Sequence, residues 1–533
     1  MSADQILIVG AGPTGLVLAL RLARRGVPFR IIDRHSGPGQ ASRAMAVQAR
    51  TLEFYSQLGF ADEIVSRGIK METVHLREAG EEFAQLLLGN MGEGLSPYPF
   101  ILSFPQDEHE LFLTEQLQSL GRTVEWNTEL NELIEHGTHV RCLLGTDSAL
   151  DVADFDYVCG CDGASSTVRS ALNLRFDGGT YDQIFYVADV KIAGEPSVDF
   201  FINLGDRELG IMLPVRSGVK RLIGIVPPSL YGPVSDLTFD DVKPGAERLM
   251  HIRVETVDWF AAYHVHHRVA ERFRVGRTFL LGDAGHVHSP VGGQGMNTGI
   301  GDAINLAWKL ADVLGGRAPA TILDSYEDER ISFARTLVNT TDKVFRRMVD
   351  PGPVGRFLRS WLLPNLLPFL SRQATLRRGL FRTVSQIRLH YRDSALSQGK
   401  AGKIRGGDRL PWVRGQGTDN FFPLKTLDWQ IHVYGELNEI LRARAEALGL
   451  SVTLFDWSGE ARSAGLERDA FYFVRPDGYV AIASSAQDAG ILLRFCISRG
   501  LVFIQRRDGA SSRPANASHS EAQVGTMDLP RSR

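Results

Sequence analysis

The stretch ILIVGAGPTGLVLALRLARRGVPFRIID, Ile6 to Asp33, decides the fold. ILIV is a short apolar run that fits a buried parallel strand. The pattern from about Pro13 to Arg25 has helical period and is closed by Gly26. FRIID (Phe29–Asp33) reads as the next strand, so strand, helix and strand make a βαβ unit with a right-handed crossover. In its first turn Gly10, Gly12 and Gly15 match GxGxxG. The first glycine makes the tight turn, the second lets backbone approach a pyrophosphate, and the third packs helix against strand. Pro13 and Thr14 open the helix, whose first N–H groups attract phosphate charge. Asp33 stands eighteen residues after Gly15 (33 − 15), where an acid takes the hydroxyls of an adenosine ribose. Dinucleotide binding is the expectation, against a merely structural βα turn.

Two further stretches share this style. DYVCGCDGASSTVR (Asp156–Arg169) is an apolar strand running into Asp162–Gly163, a polar turn and an arginine. Asp–Gly alone is most often a turn pair. Cys159 and Cys161 invite a metal reading, but two thiols without further ligands make a poor site. The third stretch, GDAGHVHSPVGGQGMNTGIGDAINLAWKL (Gly282–Leu310), follows the strand GRTFLL and ends in a helical pattern. It lacks the GK[ST] ending of a nucleotide-triphosphate loop. A carboxylate directly after a strand-ending glycine, here Asp283, is an acceptor suited to sugar hydroxyls. The glycines after it let backbone approach a ring face.

The bulk properties agree. A chain of 533 residues holds several domains, and 44% hydrophobic with 23% charged residues is ordinary for a soluble protein. A net charge of −3 gives no reason to expect nucleic acid or an anionic membrane as partner. Four cysteines without a CxxC pair indicate no dithiol centre and suit a reduced, cytoplasmic setting. The N-terminus has no signal-peptide pattern. The most apolar segment, WLLPNLLPFL from Trp361, carries two prolines and is too short to span a bilayer.

Beyond the first third, FYVADVKI and RLIGIV within Tyr181–Arg268 alternate as strands of a mainly antiparallel sheet. Long helices are expected from Asp324 to about Leu396. Gly402 to about Arg507 reads as a small α/β domain, with strands WQIHVY, SVTLFDW and FYFVRP and a helix around Glu436–Leu448. The final stretch from Asp508 is rich in Ser, Ala and Pro and reads as a disordered tail.

GAGPTG, the CDG segment and the Gly282–Leu310 stretch, in this order, resemble the three fingerprints of class A FAD-dependent monooxygenases, the single-component aromatic hydroxylases. SRAMAVQARTLEF (Ser42–Phe54) is also typical of them. The C-terminal part is similar to the thioredoxin-like extension of the phenol-hydroxylase branch, with RLPWV and VRPDGYVAI as its marks. The resemblance implies an α/β fold. A discontinuous Rossmann-like FAD-binding domain takes residues 1–70, 101–180 and 269–345, and a substrate-binding sheet takes 71–100 and 181–268. Connecting helices (346–401), a thioredoxin-like domain without CxxC (402–507) and the tail (508–533) follow. It further implies that Gly10, Gly12, Pro13, Thr14 and Gly15 hold the FAD pyrophosphate, that Asp33 with Arg34 serves the adenosine end, and that Arg43 lies along the diphosphate and flavin edge. Gln106, in SFPQDEHEL, takes the place of a glutamine that hydrogen-bonds the cofactor. Asp162 serves FAD and NAD(P)H, and Asp283 bonds the ribityl hydroxyls. Pro290, Gly293, Gly295, Met296 and Asn297 lie along the ring. NADPH or NADH binds transiently, and O2 then reacts to give a C4a-hydroperoxyflavin that hydroxylates an aromatic substrate, phenolic or polycyclic. No second GxGxxG–acid unit for a nicotinamide nucleotide is present, in keeping with this.

Alternatives stay open at this level. A related flavin enzyme could carry out epoxidation or Baeyer–Villiger oxidation; halogenation lacks a WxWxI motif. His264, His266 and His267 in YHVHHR, with His286 and His288, suggest a metal, but no carboxylate or cysteine completes the set, so none is expected. Pro351–Arg392 holds eight arginines and no acid. It reads as connecting helices whose apolar sides cover the core, with self-association into a homodimer as the other use. Phe200, Met212 and Tyr231 are side chains that line a pocket or fill a core. The sequence names no acid or base for catalysis.

Overall fold

The computed structural model describes residues 5–39, 44–78, 80–89, 91–146, 148–194, 198–205, 208–216, 218–289, 293–349, 373–415 and 417–503. Arg43, Pro290, the first part of the arginine-rich segment and the C-terminal tail lie outside them.

The strand Ile6–Val9 is an inner strand of a five-stranded sheet in the order Arg274–Val275, Thr278–Leu280, Tyr157–Gly160, Ile6–Val9, Phe29–Ile32. Its neighbours on both sides run parallel, with Ile8 opposite Cys159 and Ile31. All four of its residues are buried, because layers cover both faces of such a sheet and each position needs an apolar side chain. The helix Pro13–Arg24 follows as the crossover, ending before Gly26 at φ +69°. Parallel strands end at one edge, so Gly10, Asp33, the Cys161–Asp162 segment and Leu281–Gly282 meet there although the chain separates them by up to 272 residues (282 − 10). That edge is where open α/β sheets bind ligands.

An eight-stranded sheet lies beside this domain. Its longest strands, Phe176–Ile192 and Val254–Ala270, form an antiparallel ribbon that ties it to the FAD-type layer. Val219–Ile225, Leu209–Arg216 and Phe200–Leu204 continue the sheet. Thr73–Glu78 and Glu81–Leu87 extend it from the Met71–Phe100 insertion. The helix Phe239–Met250 covers one face, burying Met212, Tyr186 and Leu222. The opposite face turns toward Met45 and Met71.

Helices Asp324–Val349 and Ala374–Val384 lead to a third layer. It is a six-stranded sheet in the order Ile404–Arg405, Gln398–Ala401, Val480–Ser484, Phe471–Val474, Gln430–Tyr434, Ser451–Phe455. Helices Glu439–Ala447, Gly459–Ser463 and Ala489–Ser498 flank it. The sheet begins at Gln398, four residues earlier than expected (402 − 398), because Gln398–Lys400 pair in parallel with Ile482–Ser484. No helix of the described residues is long and apolar enough to cross a membrane.

Candidate functional site

The GxGxxG turn divides its glycines by use. Gly10 has φ +103°, and a Cβ there would stand 2.4 Å from the Cys161 carbonyl oxygen; one on Gly15 would stand 2.0 Å from the Gly10 carbonyl. Both are closed by backbone. Gly12 has an ordinary φ of −71°, and a Cβ on it would meet only Glu110 Oε1, at 3.9 Å. The open face of the turn is therefore at Gly12, the N-cap of a helix whose first turn has no side-chain cap. Uncapped N–H groups beside open space are what a phosphate requires. Asp33 Oδ2 accepts a 2.7 Å hydrogen bond from the Ala11 amide and Oδ1 accepts from the His35 amide, which holds the carboxylate beside this turn. Arg34 next to it is exposed.

Gln106 heads the helix Gln106–Ser119; its Oε1 accepts from the Ala44 amide at 3.2 Å and its Nε2 donates to Glu110 at 2.8 Å. Glu110 also accepts from the Gly39 amide at 2.8 Å. Burial, and then the nearby charge of Asp33, raise the Glu110 pKa against the lowering by its donors. Nothing in the sequence singled out Glu110; its spacing of four from Gln106, one helical turn, is the signal available.

Asp162 accepts from Ser166 Oγ at 2.6 Å and from the Val168 amide at 3.1 Å, which makes it a cap for the short helix Thr167–Ala171, and burial raises its pKa. Arg169 then donates to the Ala284 carbonyl at 2.9 Å, joining this loop to the Gly282–Ala284 turn that carries the exposed Asp283. Cys159 and Cys161 are buried thiols whose pKa values burial pushes far up.

The Gly282–Leu310 stretch forms a turn, the short strand His286–Val287, a loop and the helix Gly295–Leu314. A Cβ on Gly299 would fall 2.3 Å from Thr14 Oγ1, so the two helices that start at this edge touch near their first turns. The second helix also lacks a side-chain cap at its N-cap, Gln294. Asn297 uses its whole side chain as a clasp: Oδ1 accepts from the Gln48 amide and Thr51 Oγ1, and Nδ2 donates to the Ala46 and Gly293 carbonyls. Any ligand contact of Asn297 must therefore come from its backbone. Met296 is half-buried against the core. His288 Nε2, beside Gly295, and Ser289 Oγ are buried without a hydrogen bond.

Beneath this loop lies a buried group that sequence reasoning missed. Asp302 Oδ2 accepts from the Gly282 amide at 2.9 Å and pairs with His286 Nε2 at 2.8 Å, while Oδ1 accepts from Arg330 Nε at 2.5 Å. The Arg330 guanidinium holds the Asp302 pKa down against burial, which acts to raise it. An acid inside the apolar helical run GIGDAINL was the available signal. Of the histidines of YHVHHR, His266 has its Nδ1 bonded to Thr180 Oγ1 at 2.8 Å. Among the described residues no cluster of three or more metal-ligating side chains occurs.

Two uncapped helix starts, an open glycine between closed ones, the Asp33 carboxylate held beside the first turn and buried polar atoms without hydrogen bonds along one loop suit FAD. The comparisons agree. Residues 4–341 match the family described as "FAD binding domain". The 6-methylpretetramide 4-monooxygenase of Streptomyces rimosus is 35% identical over 418 residues, 74% of this chain and 71% of the relative. Pentachlorophenol 4-monooxygenase of Sphingobium chlorophenolicum is 30% identical over 425 residues, 77% of this chain and 76% of the relative. The solved anhydrotetracycline hydroxylase OxyS from Streptomyces rimosus superposes with a TM-score of 0.75 at 25% identity, covering 94% of this chain and 99% of that one. The chain belongs to the FAD-binding family of class A aromatic hydroxylases. It is an FAD-dependent aromatic monooxygenase.

Proposed function

We propose that the protein hydroxylates a polycyclic phenol, using NADPH or NADH as a transient reductant and O2 as the oxygen source. The observation that carries this is the inner face of the eight-stranded sheet. Cross-strand partners share a face, and the register sets Leu76, Ile202, Ile211, Ile223, Val187 and Ala261 in one transverse row. Ile202, Ile211 and Ile223 are only half-buried, and with Phe200 they look onto Met45, which stands next to the Ala46–Gln48 edge clasped by Asn297. A half-open apolar row beside the cofactor loop suits a flat, extended ring system. Met212 belongs to the opposite, closed face and Tyr231 is exposed, so of the three aromatic and sulfur side chains only Phe200 lies here. The names of the relatives acting on tetracycline-type polyketides and on a phenol support the same substrate class.

FAD, when bound, accepts hydride and activates oxygen. The chain's part is to bind, orient and exclude water. Gly10, Gly12 and Gly15 with Pro13 and Thr14 hold the pyrophosphate at the uncapped helix start. Asp33, Arg34, Gln106 and Arg43 serve the adenosine and diphosphate, Asp162 serves FAD and the nicotinamide nucleotide, and Asp283 serves the ribityl hydroxyls. Pro290, Gly293, Gly295, Met296 and Asn297 line the ring, where the Gly295 helix start favours negative charge. The sheets support the division into FAD-binding (1–70, 101–180, 269–345), substrate (71–100, 181–268), connecting (346–401) and C-terminal (402–507) parts. A thioredoxin-like reading of the last is supported by its parallel pair Gln430–Tyr434/Ser451–Phe455 and antiparallel pair Phe471–Val474/Val480–Ser484. A cytoplasmic homodimer completes the proposal. The test measures NAD(P)H oxidation and peroxide release by the FAD-loaded protein with monocyclic and polycyclic phenols, with product masses. Polycyclic phenols stimulate oxidation and gain one oxygen. Stimulation by monocyclic phenols alone overturns the substrate class.

A further inference from the structure

The motif VRPDGYVAI forms a tight turn between strands Phe471–Val474 and Val480–Ser484, with the Arg475 amide bonded to the Tyr479 carbonyl at 2.8 Å and Gly478 at φ +78°. The turn leaves its own sheet and enters the FAD-binding domain, where Arg475 is 0% and Asp477 1% exposed. Arg475 grips Glu329 with two bonds, 2.7 and 3.0 Å, and Asp477 with bonds of 3.1 and 2.5 Å. Glu329 in turn accepts from Lys309 Nζ at 2.9 Å and Asn305 Nδ2 at 2.6 Å. Asp477 Oδ2 accepts from Trp308 Nε1 at 3.0 Å. Two carbonyls of the same turn accept from other helices: Pro476 from Arg21 at 2.9 Å, and Asp477 from Arg50 at 2.9 Å.

Four helices are gripped: Asp324–Val349, which carries Glu329, and the three that begin at the cofactor loops, Pro13–Arg24, Ala49–Leu58 and Gly295–Leu314. Of these three, the first begins at the GxGxxG turn, the second directly after the Ala46–Gln48 edge, and the third at the Gly293–Gly295 loop. The grip on the third is remote from its start, since Trp308 lies about 20 Å down that helix from Gly295 at 1.5 Å per residue, whereas Arg50 stands in the first turn of the second. A charged grip that is buried tolerates little slack, because a buried partner left unpaired is strongly destabilising.

We propose that the Arg475–Tyr479 turn is a positioning element of the monooxygenase site, setting the mutual placement of the three helix starts that hold FAD. This rests on the flavin reading of the site. The turn contributes no atom to the cofactor; it acts through Trp308, Arg50 and Arg21. Shifting the Gly295 helix start against the Ala46–Gln48 edge changes both the fit of the ring and the helix field on it.

Asp477→Asn and Trp308→Phe, made in the full chain, test this with FAD itself as the probe. Asp477→Asn removes a buried charge with little change of volume, and Trp308→Phe removes the N–H donor together with three ring atoms, so the melting temperature of each is measured beside the flavin readouts. Expected for each are FAD binding about tenfold weaker, an altered visible spectrum of the bound flavin and a more negative flavin reduction potential. Loss of fold stability alone lowers the melting temperature and leaves the spectrum and potential of the bound flavin untouched; that result overturns the proposal. If Asp477→Asn does not fold, Trp308→Phe decides: wild-type flavin affinity, spectrum and potential in it refute the positioning role. A wild-type chain that takes up no FAD refutes the flavin reading instead, which a control titration shows directly.

Discussion

Replacing Gly12 by Ala separates binding from folding at one position. At φ −71° and ψ −178° alanine adopts the backbone without strain, and the new methyl group meets nothing nearer than Glu110 Oε1 at 3.9 Å. The apo-protein should therefore lose no stability and gain about 0.4–1 kcal/mol from the stiffer unfolded chain. The methyl group does occupy the open face over the first turn of the helix Pro13–Arg24. Displacing a pyrophosphate from two N–H donors loses two charge-assisted hydrogen bonds, about 1.5–3 kcal/mol each. The sum, about 3–6 kcal/mol, weakens FAD binding roughly 10²- to 10⁴-fold at 1.4 kcal/mol per decade. Titrating deflavinated protein with FAD, following flavin fluorescence, measures the loss, and calorimetry of the apo-form measures stability. Gly10→Ala provides the contrast: its positive φ and the 2.4 Å approach to the Cys161 carbonyl predict a chain that does not fold. FAD affinity within threefold of wild type in Gly12→Ala would refute the reasoning.

Asp302→Asn leaves Arg330 buried without its counter-charge and should cost about 3–5 kcal/mol in urea unfolding; a loss under 1 kcal/mol contradicts a buried, charged Asp302–Arg330 pair. Ile211→Trp fills the half-open row and should raise KM for polycyclic phenols about tenfold with FAD content unchanged; an unaltered KM moves the substrate elsewhere. His109 is fully buried, 2.7 Å from the Tyr55 hydroxyl, and burial pushes its pKa down to about 3. The unfolded chain then takes the proton first, so the contribution present above pH 6.5 is lost as pH falls from about 6.5 toward 3, at up to about 1.4 kcal/mol per unit. His109→Gln keeps a hydrogen-bonding group without the titration and should flatten the acid side of the stability profile; identical slopes argue against a neutral His109.

The FAD-type layer was legible because its signals are local. An apolar tetrad, a glycine turn and a helical period within Ile6–Asp33 specify strand, turn and helix without reference to the rest of the chain. The substrate sheet was legible as alternation in FYVADVKI and RLIGIV. Its inner face was not, since which residues share a row depends on registers such as Ile211 opposite Ile223, set by long-range pairing. Asp302 and Glu110 were hidden for a related reason: a buried acid has meaning only with its donors, and those of Asp302 come from Gly282, His286 and Arg330. Asn297 shows the reverse, a residue assigned to the cofactor by motif whose side chain is fully occupied in clasping the chain to itself.

The order of the strands has a consequence for biosynthesis. Ile6–Val9 needs Tyr157–Gly160, which in turn needs Thr278–Leu280, and the turn that grips the finished cleft arrives only at Arg475. At ribosomal rates of about 5–20 residues per second, the first glycine turn waits roughly 14–54 s for Gly282 to be made. The GxGxxG segment thus spends its early life without the partners that shape it. A nascent chain of this design can acquire its oxygen-activating cofactor only late, when the surfaces that keep water from it are already in place.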